Sequence, residues 1–306
     1  MPFCTRYGRA RAKVFLVASL LLGALILMPD PGHARPANHG LQNPSRVAPP
    51  ISLAAPDLDS LAKKMAEEID KKKPDSVVVV GGGGPEAKVS DLGAKLRDAF
   101  NDSLVLQARR SRVLEGNVVR EMLRQSRVSE GMLYSDEIGA WIADHARADA
   151  YVTFRVYALT GLHASLVAEF FTRGKEGFQS IHLEAGSITL TDQQSALADS
   201  DFQPESNFPG ASPVAPGAGY PRCVVCPNPS YSEEARRLKI SGIVLLLIVV
   251  RPDGLADDVM VAKPMGHGLD ANAIDTVLDW KFQPAKDAQG NLVAVQVPVE
   301  VSFKLR

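Results

Sequence analysis

The chain has 306 residues, 45% of them apolar and 23% charged, with a formal net charge of −1. That length holds two modest domains and their linkers, and the composition is that of a folded chain rather than a disordered one. The near-balanced charge excludes both the bulk basic field of a nucleic-acid-binding protein and an acidic tail.

The first 34 residues read as a targeting segment. Arg6, Arg9, Arg11 and Lys13 precede an uncharged apolar run from Val14 to Met28, which Pro29, Pro31 and Gly32 end. As a helix the run reaches about 22 Å, short of the roughly 30 Å of a hydrocarbon core. Two readings stand: a signal peptide cleaved after Ala34, or a retained inner-membrane anchor with its basic flank in the cytoplasm. Either way the remainder is exported to the periplasm. Cys4 precedes the run, so of three cysteines only Cys223 and Cys226 remain in the exported part, where oxidation is permitted. Residues 35–56, with Pro36, Pro44, Pro49, Pro50 and Pro56, form a semi-rigid linker.

Residues 57–200 read as an α/β domain. Leu58, Leu61, Met65 and Ile69 recur at helical spacing behind Asp57 as a cap. Val77 to Val80 is a short β-branched run, a buried strand broken by Gly81 to Gly84. Leu92, Leu96, Phe100 and Leu104 mark a second helix capped by Ser90 or Asp91. Helices near Val118–Gln125 and Asp136–Ala148 follow, then strands from Ala150 to Val156, Ser165 to Thr172 and Ser180 to Thr191. The order predicts a mixed sheet with helices packed on it. Residues 201–222, rich in Pro and Gly, form a second linker that leaves no room for a regular element.

The last domain spans residues 223–306. Ser230 with Glu233 reads as a capping box opening a helix through about Lys239, which Gly242 ends. Ile243–Arg251 is a strand, Pro252-Asp253-Gly254 a hairpin turn, and Ala256–Lys263 a second strand. Leu269, Ala273, Ile274, Val277 and Leu278 mark a helix, with Trp280 and Phe282 after it as core. Val293–Leu305 forms a long third strand, with Val295, Val297, Val299, Val301 and Phe303 on one face.

Chemistry-bearing patterns are sparse. Cys223-Val224-Val225-Cys226 has redox-motif spacing, but Pro221 and Pro227 flank it, so a structural disulfide outweighs thiol catalysis. The glycine run Gly81–Gly84 lacks the Lys-Ser/Thr of a phosphate loop, since Val89 follows Lys88, and reads as a flexible surface turn. His145, His163, His182 and His267 lack ligand spacing, and Asp257-Asp258 reads as a solvated edge. No catalytic residue, metal or cofactor is expected.

The final segment resembles the TonB C-terminal domain. Tyr231 through Gly242, ending Ile240-Ser241-Gly242, is similar to the family's opening helix pattern. Val250-Arg251-Pro252-Asp253-Gly254 matches its first hairpin, and Gly268-Leu269-Asp270 with Ala273-Ile274 its second helix. Trp280-Lys281-Phe282-Gln283-Pro284-Ala285 resembles its Trp-basic-aromatic-x-Pro pattern. The front domain more weakly resembles TolB N-terminal or curli-secretion-type envelope domains, through Val77–Val80, Gly84-Pro85 and Leu92–Leu96.

The overall expectation is an α+β chain: a signal or anchor segment, an α/β domain, and a TonB-like domain of two helices on a three-stranded antiparallel sheet. The resemblance implies an energy transducer that binds the N-terminal peptide of outer-membrane TonB-dependent receptors by strand addition, with an inner-membrane proton-channel complex as second partner. The implied receptor-binding positions are Val293, Val295, Val297, Val299, Val301 and Phe303 on the last strand, and Asn228, Pro229, Ser230 and Tyr231 before the first helix. Two departures stand against the family pattern. Ser232 replaces the second proline of Gln-Pro-x-Tyr-Pro, and Val14–Met28 holds no histidine four residues after Ser19, where Gly23 stands. A soluble periplasmic binding or scaffold protein without energy coupling is the alternative, and a homodimer is left open.

Overall fold

A computed structural model describes residues 56–84, 89–175, 177–206, 208, 211–213 and 219–305. The targeting segment, the first linker through residue 55, and Pro85 and Lys88 lie outside the described residues.

The front region opens with α1 (Pro56–Lys72), β1 (Ser76–Gly81), α2 (Asp91–Gln107), β2 (Arg112–Val113) and α3 (Gly116–Gln125). A 3-10 helix (Glu130–Tyr134) and α4 (Gly139–His145) follow, then β3 (Ala150–Thr160), β4 (His163–Gly174), β5 (Gly177–Thr189) and the short α5 (Asp192–Ala196). The helical and strand periodicities thus fall where the sequence puts them. α4 is shorter because Asp136 to Ile138 form a turn, closed by Gly139 N–H donating to Asp136 O at 3.2 Å.

The sheet order is β2-β1-β3-β4-β5, with β2 and β3 parallel to β1 and the β3-β4-β5 ribbon antiparallel. Alternation along β1 assigns its two faces. Val77 and Val79 pack with α1 and α2, whereas Val78 and Val80 join the core under α3, the 3-10 helix and α4. The glycine run is no flexible surface turn. Gly81, at φ +96°, and Gly82, at φ +122°, are buried, and Gly82 lies directly against Gly93 of α2. The glycines let helix and strand backbones touch, a close approach that any Cβ would prevent.

The C-terminal region comprises β6 (Ser212–Pro213), β7 (Arg222–Val225), α6 (Glu233–Arg237), β8 (Gly242–Val250), β9 (Ala256–Lys263), α7 (Leu269–Leu278), β10 (Lys281–Gln283), β11 (Ala285–Lys286), β12 (Leu292–Val293) and β13 (Val295–Phe303). β9, β8 and β13 make the antiparallel three-stranded sheet, with β6 added in parallel beyond β13. Three local expectations change. The helix cap is Ser232, whose Oγ accepts from Ala235 N–H at 3.0 Å, not Ser230. Lys239 at φ +56° turns the chain out of α6, so Gly242 opens β8 instead of closing the helix. The Pro- and Gly-rich stretch 201–222 carries β6, because main-chain pairing needs no side-chain pattern and leaves no periodicity to read.

Asp270, 1% exposed at the start of α7, accepts from Met265 N–H at 2.8 Å and Gly266 N–H at 2.7 Å. Burial pushes its carboxyl above the usual range, against the pull of those donors. Asp270→Ala would strand both N–H groups, and we expect a loss of about 2 kcal/mol in urea unfolding, since unmet buried donors cost about 1–3 kcal/mol.

The two regions share one apolar core, running from Val78, Val119, Leu133 and Trp141 into Leu246, Val259, Ile274 and Val301. Polar groups cross the same boundary. Arg127 reaches Ala256 O at 3.0 Å and Leu278 O at 2.9 Å, and Trp141 Nε1 donates to Asp275 at 2.8 Å. Asp257 and Asp258 lie in this seam, 5% and 7% exposed, and are not the solvated edge their sequence suggests. Arg251 faces Asp257 at 3.4 Å, and Ser206 donates to Asp258 at 2.5 Å.

Candidate peptide-binding edge

A three-stranded sheet has two edges, and their fates differ here. On β9, Val128 bridges Val259 in parallel; Ser129 N–H donates to Val259 O at 3.0 Å and Val259 N–H to Arg127 O at 3.1 Å. The front region therefore occupies that edge. β13 pairs with β8 along its whole length, from Val295↔Val250 to Phe303↔Gly242, yet its outer side meets β6 only at Val295 and Gln296. From Val297 to Phe303 the outer side has no strand partner among the described residues.

Pro298 fixes which groups that edge offers. Proline has no N–H and is found where the ladder does not need one. Residues of an antiparallel strand alternate between bonding their neighbour and facing away. Pro298 therefore faces outward, and Gln296, Glu300 and Ser302 present their main chains on the same side. Among the described residues nothing accepts from the N–H groups of Glu300 and Ser302, and these are the donors the edge offers. Missing a donor at its middle, the strand is a poor template for a second identical edge. Pro298→Val restores that donor, and we expect it to raise the dimer fraction in size-exclusion chromatography at least severalfold.

The positions expected to bind a receptor divide. Val295, Val299, Val301 and Phe303 are 5%, 4%, 1% and 1% exposed, and Val297 is half-buried. Their side chains face the core with Val244, Leu246, Ile248 and Val250 of β8. What this strand can offer a guest is main chain, not the valine side chains. Val293 belongs to the separate β11–β12 ribbon, paired with Ala285, because the strand breaks at Ala294.

Asn228 to Tyr231 run across α7 toward the far end of β13. Trp280 Nε1 donates to Pro227 O at 3.0 Å, and Asn272 Nδ2 to Ser230 O at 3.0 Å. Tyr231 then packs edge-on against Phe303, with ring centroids 5.5 Å apart. Of the expected positions before the helix, only Tyr231 is seen against β13, while Asn228 and Ser230 are exposed. Cys223 and Cys226 form a disulfide with Cα atoms 6.1 Å apart, and β7 clips onto β10 through Cys223↔Phe282. The buried Trp280 and Phe282, 3% and 8% exposed, are core residues.

Four histidines are engaged locally. His145 stacks on Trp141 at 3.7 Å, His163 lies 3.3 Å from Thr189 Oγ1, His182 meets Glu184 at 3.2 Å and His267 meets Glu234 at 3.1 Å. No cluster of three or more His, Cys, Asp or Glu poised for a metal occurs among the described residues. In the front region Asp98 accepts from Arg97 at 2.7 Å and from the Tyr134 hydroxyl at 3.1 Å. Burial and the Asp98 charge push Tyr134 up to about 12, so it remains a protonated donor at neutral pH. Sequence patterns had not pointed to Arg127, which lies in a loop at φ +61°, nor to the β6 pairing.

Among the described residues no helix is long and apolar enough to cross a membrane. Three solved structures are similar to parts of this chain. The LpoB C-terminal domain from Escherichia coli is 12% identical, covers 44% of this chain and 98% of its own, and has a TM-score of 0.35. The TonB C-terminal domain of Pseudomonas aeruginosa is 24% identical, covers 31% and 94%, and has a TM-score of 0.25. Lipoprotein GNA1162 from Neisseria meningitidis is 18% identical, covers 39% and 84%, and has a TM-score of 0.30. No curated protein matches the sequence. Residues 227–305 match the family model described as the Gram-negative bacterial TonB protein C-terminal, and this part of the chain is a TonB-family C-terminal domain.

Proposed function

We propose that this chain is a cell-envelope coupling protein of the TonB type, acting by binding and not by catalysis. Exported by its N-terminal segment, it works in the periplasm. The outer side of β13 takes up an extended segment of an outer-membrane receptor as an added strand, in support of transmembrane transport. The observation that carries this reading is the asymmetry of the sheet: residues 127–129 hold the β9 edge, while β13 stays unpaired from Val297 to Phe303 among the described residues. An extended peptide satisfies such an edge through its own main chain. Several parallel main-chain bonds share a load, and the continuous core ties the loaded sheet to the front region.

The test is a photo-activatable residue at the exposed Ser302 in living cells. We expect adducts with the periplasmic N-terminal segment of outer-membrane receptors. Adducts confined to soluble periplasmic proteins would contradict the reading.

The second reading, a soluble periplasmic scaffold without energy coupling, is favoured by one observation: Val14–Met28 is short for a span and contains no ionisable group. Proton-driven coupling would further require a retained anchor and association with an inner-membrane proton channel. N-terminal sequencing of the exported protein separates the two. A chain beginning at Arg35 excludes the anchored transducer.

A further inference from the structure

We propose that the chain's own second linker is the resident occupant of the start of the β13 edge, and that a guest strand binds by exchange with it. This rests on the reading of that edge as the receptor site. β6 lies on the side where a guest would add, pairing Ser212 with Val295 and Pro213 with Gln296 in parallel.

The linker is held to both flanks of that contact. Before it, Ser206 donates to Asp258, Phe208 N–H donates to Ser206 Oγ at 3.0 Å, and Ala211 N–H donates to Phe208 O at 2.8 Å. After it, Gly219 N–H donates to Lys286 O at 3.1 Å. A segment tethered so closely competes at high effective concentration although it pairs only two residues. A short contact is also readily displaced. The linker thus lowers the apparent affinity of any guest that reaches Gln296, by the fraction of molecules whose edge is free. Displacement peels β6 from the sheet and leaves Ser206 on Asp258 as the next hold, so occupancy of the edge is reported to the seam between the two regions.

The test uses the full-length chain and Ser212→Pro, which removes a main-chain donor from β6. In the unmodified chain the Gln296 amide should exchange with solvent much more slowly than those of Glu300 and Ser302. In the variant it should exchange about as fast as they do. The binding probe is a synthetic copy of the receptor segment captured from Ser302, and the variant should bind it roughly three- to tenfold more tightly. Fast exchange at Gln296 in the unmodified chain would overturn the proposal, as would equal affinity of the two proteins. Failure of both proteins to bind the peptide, with Gln296 still protected, would overturn the receptor reading and with it the exchange, leaving β6 as plain structure.

Discussion

Gly93→Ala should destabilise the protein by about 2 kcal/mol or more, although alanine is the better helix former. Helix propensity alone favours the substitution by about 1 kcal/mol. Against that, a Cβ at Gly93 would lie 2.0 Å from Gly82 O, a main-chain atom that cannot swing away. Gly82 sits at φ +122° and its N–H donates to Phe154 O at 2.6 Å, so it is held from the far side. α2 would have to move off the end of β1, carrying Leu92, Leu96 and Phe100 out of register with α1 and β3. Overpacking of this kind costs typically 1–3 kcal/mol and occasionally more. Urea unfolding followed by far-UV circular dichroism measures the net. Unchanged or increased stability would show that the helix is not seated on the strand through these glycines.

Arg127→Ala should cost about 3 kcal/mol and divide what is otherwise one unfolding transition. The guanidinium satisfies two carbonyls, Ala256 O at the start of β9 and Leu278 O at the end of α7. Hydrogen bonds from a charged group are worth about 1.5–3 kcal/mol each, and both acceptors would lose their partner. Arg127 also sits at φ +61°, where alanine gains nothing but glycine relaxes the backbone. Arg127→Gly should therefore recover about 1 kcal/mol of stability over alanine without restoring the link. Calorimetry on the full-length chain should give one transition for the unmodified protein and two for the alanine variant. A single unchanged transition would mean that the continuous apolar core alone couples the regions.

Much of the fold is legible in the sequence because its elements are locally periodic. Leu58, Leu61, Met65 and Ile69 mark α1, and Leu92, Leu96, Phe100 and Leu104 mark α2, through simple helical spacing. Along β13 the buried Val295, Val299, Val301 and Phe303 mark the core face. What the sequence hides is contact between distant segments. Asp258 looks solvated until Ser206 of the second linker reaches it, and Arg127 is an ordinary loop residue until its carbonyl partners arrive from more than a hundred positions away. The candidate site is half legible for a related reason. Its strand can be located by alternation, but alternation reports side chains, and a sheet edge works through the main chain. The valines that mark the strand point into the core below the sheet, out of the plane in which a guest would pair, and the informative residue is Pro298, whose missing N–H orients the ladder.

Residue-resolved amide exchange on the full-length chain, with and without the receptor peptide captured at Ser302, tests the strand-addition claim most directly. Glu300 and Ser302 should exchange rapidly in the free protein and become strongly protected once the peptide is bound, with β9 unaffected. Protection that arises only on β9 or in the front region, with Glu300 and Ser302 exchanging as before, would place the guest elsewhere and contradict the account.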